Sequence, residues 1–155
     1  MRILIAAVGR LRRGPERELF EAYRARLSWP VTVQEVEARR KLPPRSLVER
    51  EGELLLAALP APSGKLRVIA LDETGQGLSS PALAKRLADW RDQGAETLAF
   101  VIGGADGLSP AVRERADFGL SLGAMTWPHL LVRVLLAEQL YRAQQILAGH
   151  PYHRG

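Results

Sequence analysis

The run Phe100-Val101-Ile102 is apolar and rich in β-branched residues, and it stops on Gly103-Gly104. Gly107 follows after Ala105-Asp106, and Ser109-Pro110 then opens a helix with a cap residue and a first-turn proline. A buried strand that feeds a glycine turn and a helix start points to an open α/β sheet. Such sheets take ligands at the carboxyl ends of their strands. Glycine there permits positive φ and lets backbone approach a ligand closely. The spacing is neither the dinucleotide fingerprint nor a phosphate loop ending in Lys-Ser/Thr. Taken alone, the turn is open to two readings, a ligand-binding turn or a plain tight turn.

The rest of the chain supports the α/β reading, because strand and helix patterns alternate throughout. Arg2–Val8 reads as a strand, Pro15–Leu27 as an amphipathic helix and Val31–Val36 as a strand. Ser46-Leu47-Val48-Glu49 has the form of a capping box and predicts a helix to about Ala58. Leu66–Leu71 is a strand, Ser80-Pro81 caps a helix that ends before Gly94, and Thr97–Ile102 is the strand of the glycine turn. A short helix over Ser109–Ala116, a short strand over Phe118–Leu122, a long helix from Thr126-Trp127-Pro128 to about Ala148 and a tail over Gly149–Gly155 complete the chain. The expected fold is α/β, a mostly parallel sheet with helices on both faces, in a single domain over residues 1–155.

Composition narrows the function classes. There is no cysteine, which excludes a disulfide scaffold, a thiolate metal site and a cysteine nucleophile, and suits a reducing compartment. The first apolar run, Ile3–Val8, is too short for a signal peptide, and Leu130–Leu147 contains Arg133, Glu138 and Arg142, so no membrane segment is expected. His129, His150 and His153 lack paired spacing with carboxylates, so no metal is expected. Net charge is +5, and nearly all of the positive charge is arginine, the only lysines being Lys41, Lys65 and Lys85. Arginine suits phosphate and stacked bases, which favours a nucleic-acid partner over a merely solvated surface. The stretch Arg39-Arg40-Lys41-Leu42-Pro43-Pro44-Arg45 is either a phosphate contact or a solvated connection.

Three loops are expected at one sheet edge: Leu71–Gly77, Gly103–Gly107 and Leu122–His129. The third lacks bulky polar groups before Thr126 and can offer backbone N–H and C=O groups beside apolar side chains. The helix that follows leaves almost no polar face over Leu130–Ala137, so it needs cover on every side. Two covers are open, a second subunit across a twofold axis or burial within the monomer.

Phe100–Ser109, Leu120-Ser121-Leu122 with Met125-Thr126-Trp127-Pro128-His129, Glu138–Ala143 and the ending Pro151-Tyr152-His153-Arg154 together resemble the ribosomal large-subunit methyltransferase H family of the SPOUT methyltransferases. The resemblance spans the first strand to the tail. It implies a C-terminal trefoil knot, a homodimer, a cytoplasmic location and S-adenosylmethionine as cofactor. It implies methylation at N3 of a pseudouridine in 23S rRNA of the assembled 70S ribosome. By position, it places the cofactor on Leu71, Gly103, Leu122, Gly123, Ala124, Met125, Thr126 and Trp127. It places Tyr152, His153 and Arg154 on the substrate side, with His153 as a proton acceptor. Arg142 either faces the substrate or only pairs with Glu138 four residues away. His129 either orients the cofactor loop or caps and packs. The competing classes are a non-catalytic rRNA-binding or ribosome-assembly module and an α/β enzyme that uses another nucleotide cofactor.

Overall fold

The computed structural model describes residues 1–153, the last by its backbone alone. Five strands, β1 (Arg2–Val8), β2 (Val31–Val36), β3 (Leu66–Gly77), β4 (Thr97–Ile102) and β5 (Phe118–Ser121), form one sheet in the order β2-β1-β4-β3-β5. Every pairing is parallel. The helices are α1 (Pro15–Arg26), α2 (Pro44–Ala57), α3 (Ser80–Asp92), α4 (Pro110–Arg115) and α5 (His129–Leu147), followed by a 3₁₀ turn over Pro151–His153.

The strand period of two sorts the core into two layers. Ile3, Ile5 and Ala7 of β1 and Leu98, Phe100 and Ile102 of β4 face one cluster with Phe20, Leu83, Leu87 and Leu140 of α1, α3 and α5. Leu4, Ala6 and Val8 with Ala99 and Val101 face the other, with Leu55 of α2 and Val112 of α4. A sheet buried on both faces has no polar side, which is why β1 and β4 read as unbroken apolar runs.

The structure shifts several expected boundaries. Helix α2 begins at Pro44, and the Ser46–Glu49 capping box does not form. The fixed φ of Pro44 suits a first helical position, and the Pro43 carbonyl already accepts the Leu47 N–H at 2.8 Å. Ser79, not Ser80, caps α3, its hydroxyl accepting the Ala82 N–H at 3.2 Å. Strand β3 runs six residues past Leu71, because after a break in register it pairs with β5 again through Gln76 and Gly77. Helix α5 starts at His129, behind Pro128 at its cap. Most of the cover on α5 comes from its own chain. Helices α1 and α3 pack on it together with the sheet, and Leu131, Val132 and Leu135 stay half-buried.

Candidate active site

Parallel register aligns the strand ends that build the site. Leu71, where β3 breaks register, pairs with both Ile102 and Leu120, so the exits from β4 and β5 lie level with that break. The exits enclose a cleft of about 290 Å³, close to the lower bound for small-molecule pockets, roughly 300 Å³. Leu71 and Asp72 line it from β3, and Gly103 to Leu108 from the glycine turn. Leu122, Gly123, Met125, Thr126 and Trp127 line it from the following loop, and His129 and Val132 from the first turn of α5. Of the residues expected on the cofactor, Ala124 alone is outside the lining; it is exposed.

Glycines leave part of the cleft wall as bare backbone. A Cβ on Gly103 would sit 2.8 Å from the Gly107 carbonyl oxygen and 2.9 Å from Leu108 Cδ2, so only glycine fits there. The turn is closed by the Gly107 N–H donating to the Gly104 carbonyl at 3.1 Å, and Gly107 has φ +85°. In the third loop the Ser121 hydroxyl donates to the Gly123 carbonyl at 3.0 Å and accepts the Gly123 N–H at 3.2 Å. Met125 and Trp127, 75% and 40% exposed, leave apolar surface at the mouth.

Two charged features frame this backbone. Burial would raise the Asp72 carboxyl. Hydrogen bonds from the Thr74 N–H, the Thr74 hydroxyl and Arg113 outweigh it and hold that carboxyl below its usual range. His129 is shifted down as well, which for a base favours the neutral form. Burial first, then the positive charge of Arg133, lowers it, so a neutral imidazole faces the cleft near pH 7. Arg133 itself is 1% exposed. It donates to the Gly9 carbonyl at 3.2 Å and to Glu35, while its Nε has no partner among the described residues. Sequence reading did not single out Arg133, although one cation inside an otherwise apolar helical stretch signals a buried ion pair. The Asp72–Arg113 pair was also missed, being joined only through the fold.

The remaining expected residues gather elsewhere. Arg142 donates twice to Glu138 Oε1, at 2.7 and 3.1 Å, so the helical pair forms. Tyr152 lies edge-on to Tyr141, 4.7 Å between ring centroids, and donates to Glu138 at 3.4 Å. Arg26 stacks over Tyr141 at 4.1 Å and Arg142 over Tyr152 at 5.1 Å. Burial, then a hydrogen bond with Tyr23 and the charge of Glu138, raises the Tyr152 hydroxyl. The His153 side chain and Arg154 lie outside the described residues. Glu138 follows His129 by nine positions, which is about 14 Å along α5 and about 180° around it. The tail cluster therefore faces away from the cleft of its own chain. Among the described residues no group of His, Asp or Glu could hold a metal ion, and no helix is long and apolar enough to cross a membrane.

An all-parallel α/β sheet with a cleft at the ends of β4 and β5 and at the register break of β3 has the place where open α/β proteins bind small ligands. The family described as Predicted SPOUT methyltransferase matches residues 1–153. Ribosomal RNA large subunit methyltransferase H of Rhodospirillum centenum is 62% identical over 154 residues, covering 99% of each chain. The protein of the same name from Paramagnetospirillum magneticum is 58% identical with the same coverage. A probable methylase family protein from Haemophilus influenzae superposes over 99% of this chain and 70% of its own, with TM-score 0.58 at 10% identity, which supports the fold. The chain belongs to the SPOUT methyltransferases, in the ribosomal RNA large subunit methyltransferase H family.

Proposed function

We propose that this protein methylates N3 of a pseudouridine in 23S rRNA of the assembled 70S ribosome, using S-adenosylmethionine, as a cytoplasmic homodimer. One observation carries the reading. The ends of β4 and β5 and the register break of β3 build a single glycine-walled cleft in a chain whose full-length relatives are named for large-subunit rRNA methylation. The residues fit the cofactor. Glycine at 103 keeps the wall free of a Cβ, while Leu71, Leu122, Met125 and Trp127 offer apolar surface beside it. S-adenosylmethionine, when bound, supplies an activated methyl group. The chain's own work is to hold the target base and take its N3 proton. The imide nitrogen becomes a good nucleophile only as that proton leaves. We assign the proton to His153 and stabilisation of the resulting anion to Arg154 and Arg142, with Tyr152 stacking the base. A C-terminal trefoil knot, a rare exception to unknotted connections, belongs to the same reading.

The site is composite in this reading. Within one chain the tail cluster and the cleft lie on opposite sides of α5. The half-buried Leu131, Val132 and Leu135, with the exposed Met125 and Trp127, supply apolar surface for a second copy. A twofold partner would bring its tail to this cleft. The test is radiolabelled methyl transfer to 70S ribosomes from a strain without the enzyme, followed by mass-spectrometric mapping of 23S rRNA. One new methyl on a pseudouridine is expected. Binding without transfer would leave a ribosome-binding module.

A further inference from the structure

The cleft occupies the carboxyl ends of β4 and β5 and the register break of β3. The same sheet edge continues across β1 and β2, whose loops contain six cations and a single acid. Residues 9–14 bring Arg10, Arg12 and Arg13, and residues 37–43 bring Arg39, Arg40 and Lys41 with Glu37. Val8 pairs with Val36, and the Gly9 N–H donates to the Val36 carbonyl at 2.9 Å, so the two loops leave the sheet side by side. All six cations are exposed. Arg10 pairs with Glu37 at 3.6 Å, whereas Arg12, Arg13, Arg39, Arg40 and Lys41 have no ion pair among the described residues.

The roots of these loops are fixed. Glu35 Oε2 accepts the Leu11 N–H at 2.7 Å and also accepts from Arg133, which in turn donates to the Gly9 carbonyl. Leu11 packs on the core, so the arginines on either side of it face solvent. The anchor touches the cleft as well. A Cβ on Gly9 would lie 3.3 Å from the ring of His129, which lines the cleft. Strands sit about 4.8 Å apart, so β2 is about 10 Å from β4 and its glycine turn. A row of cations without ion pairs, carried next to a cleft on loops whose roots are anchored, is arranged for a polyanion whose charges repeat.

We propose that the β1 and β2 loops form a phosphate-backbone rail for RNA, holding the strand that flanks the methylated nucleotide. The proposal rests on the rRNA methylation reading for the identity of its polyanion. The rail contributes affinity and register, and the cofactor and the reacting base are held elsewhere.

The experiment compares two quintuple variants in the full chain. One carries Gln at Arg12, Arg13, Arg39, Arg40 and Lys41. The other removes the same charge at Arg2, Arg50, Lys65, Lys85 and Arg91, none of which lies in the two loops. Binding of 23S rRNA and of 70S ribosomes is measured against salt, beside S-adenosylmethionine affinity and the kcat and KM of methyl transfer. The rail variant should lose at least tenfold in RNA affinity near 100 mM salt. Its salt slope should fall by about 0.7 to 0.9 for each phosphate contact removed. Its KM for ribosomes should rise with kcat and S-adenosylmethionine affinity unchanged, and the control variant should bind RNA within about twofold of wild type. Equal loss in both variants would reduce the effect to net charge and overturn the rail. Unchanged RNA affinity in the rail variant, with or without loss of binding to anionic vesicles, would also overturn it. If wild-type protein grips RNA through these loops but transfers no methyl, the rail stands and the rRNA methylation reading fails.

Discussion

The cleft and the tail cluster are built from opposite materials. The cleft depends on backbone kept bare by glycine, with Gly103 fitting only because it lacks a Cβ and Gly123 pinned by the Ser121 hydroxyl. The tail cluster is side chains: Glu138, Arg142, Tyr141, Tyr152 and Arg26 stack and pair where α1, α5 and the 3₁₀ turn meet. A backbone site depends on how strands end and is fragile only where added bulk intrudes. A side-chain site depends on each group separately and can be dismantled in steps without disturbing the sheet.

The hardest test of that contrast is Gly103→Val. Its added atoms would press on the Gly107 carbonyl and Leu108, where little can yield. S-adenosylmethionine binding should be abolished in calorimetric titration, in protein that keeps its far-UV circular dichroism. Normal binding by a folded variant would show the cleft to be misassigned.

Removing Tyr152–Gly155 should do the reverse. Cofactor affinity and mass in light scattering should stay at wild-type values, while methyl transfer to ribosomes falls at least 100-fold. The two damaged proteins also test whether the regions meet across subunits. Co-refolding Gly103→Val chains with tail-truncated chains pairs an intact cleft in one subunit with an intact tail in the other. Such mixtures should recover a substantial fraction of wild-type transfer. No recovery, with heterodimers demonstrated, would confine each site to one chain.

The contrast also governs what the sequence made legible. Strands β1, β2 and β4 were expected with the bounds they have, because apolar and β-branched runs bounded by glycine or proline encode them locally. The cleft followed from where those runs stop. What escaped was long-range. The extension of β3 to Gly77 needs β5 beside it, where Gly75 runs so close to Gly119 that a Cβ would lie 2.6 Å from that residue's carbonyl carbon. Arg133 reads as a charge on an apolar helix until Glu35, 98 positions earlier, arrives to meet it. The tail residues show no helix or strand period; their expected roles came from residue type together with resemblance, and of these the packing accounts for Tyr152.

The smallest expected effect sharpens the contrast from beneath the glycine turn. Glu51 of α2 is 7% exposed, its carboxyl makes no hydrogen bond among the described residues, and a Cβ on Gly104 would lie 2.8 Å from its Oε2. Burial, reinforced by the negative charge of Asp106, raises its pKa. A carboxyl whose folded-state pKa exceeds its unfolded value stabilises the fold only while protonated. That contribution is full below the ordinary carboxylate range, near pH 4, and is lost as pH rises through the raised value. Near neutral pH the native protein therefore holds a costly group under its cleft, and Glu51→Gln should raise the thermal midpoint, by about 2–4 °C for each kcal/mol relieved. The gain should shrink toward pH 4, where glutamate and glutamine are alike in charge. S-adenosylmethionine affinity should remain within about twofold, because the groups offered to the ligand are backbone. A midpoint shift equal at both pH values would remove the titration from the account, and a tenfold loss of affinity would mean that the turn's backbone is not the part of the cleft that binds.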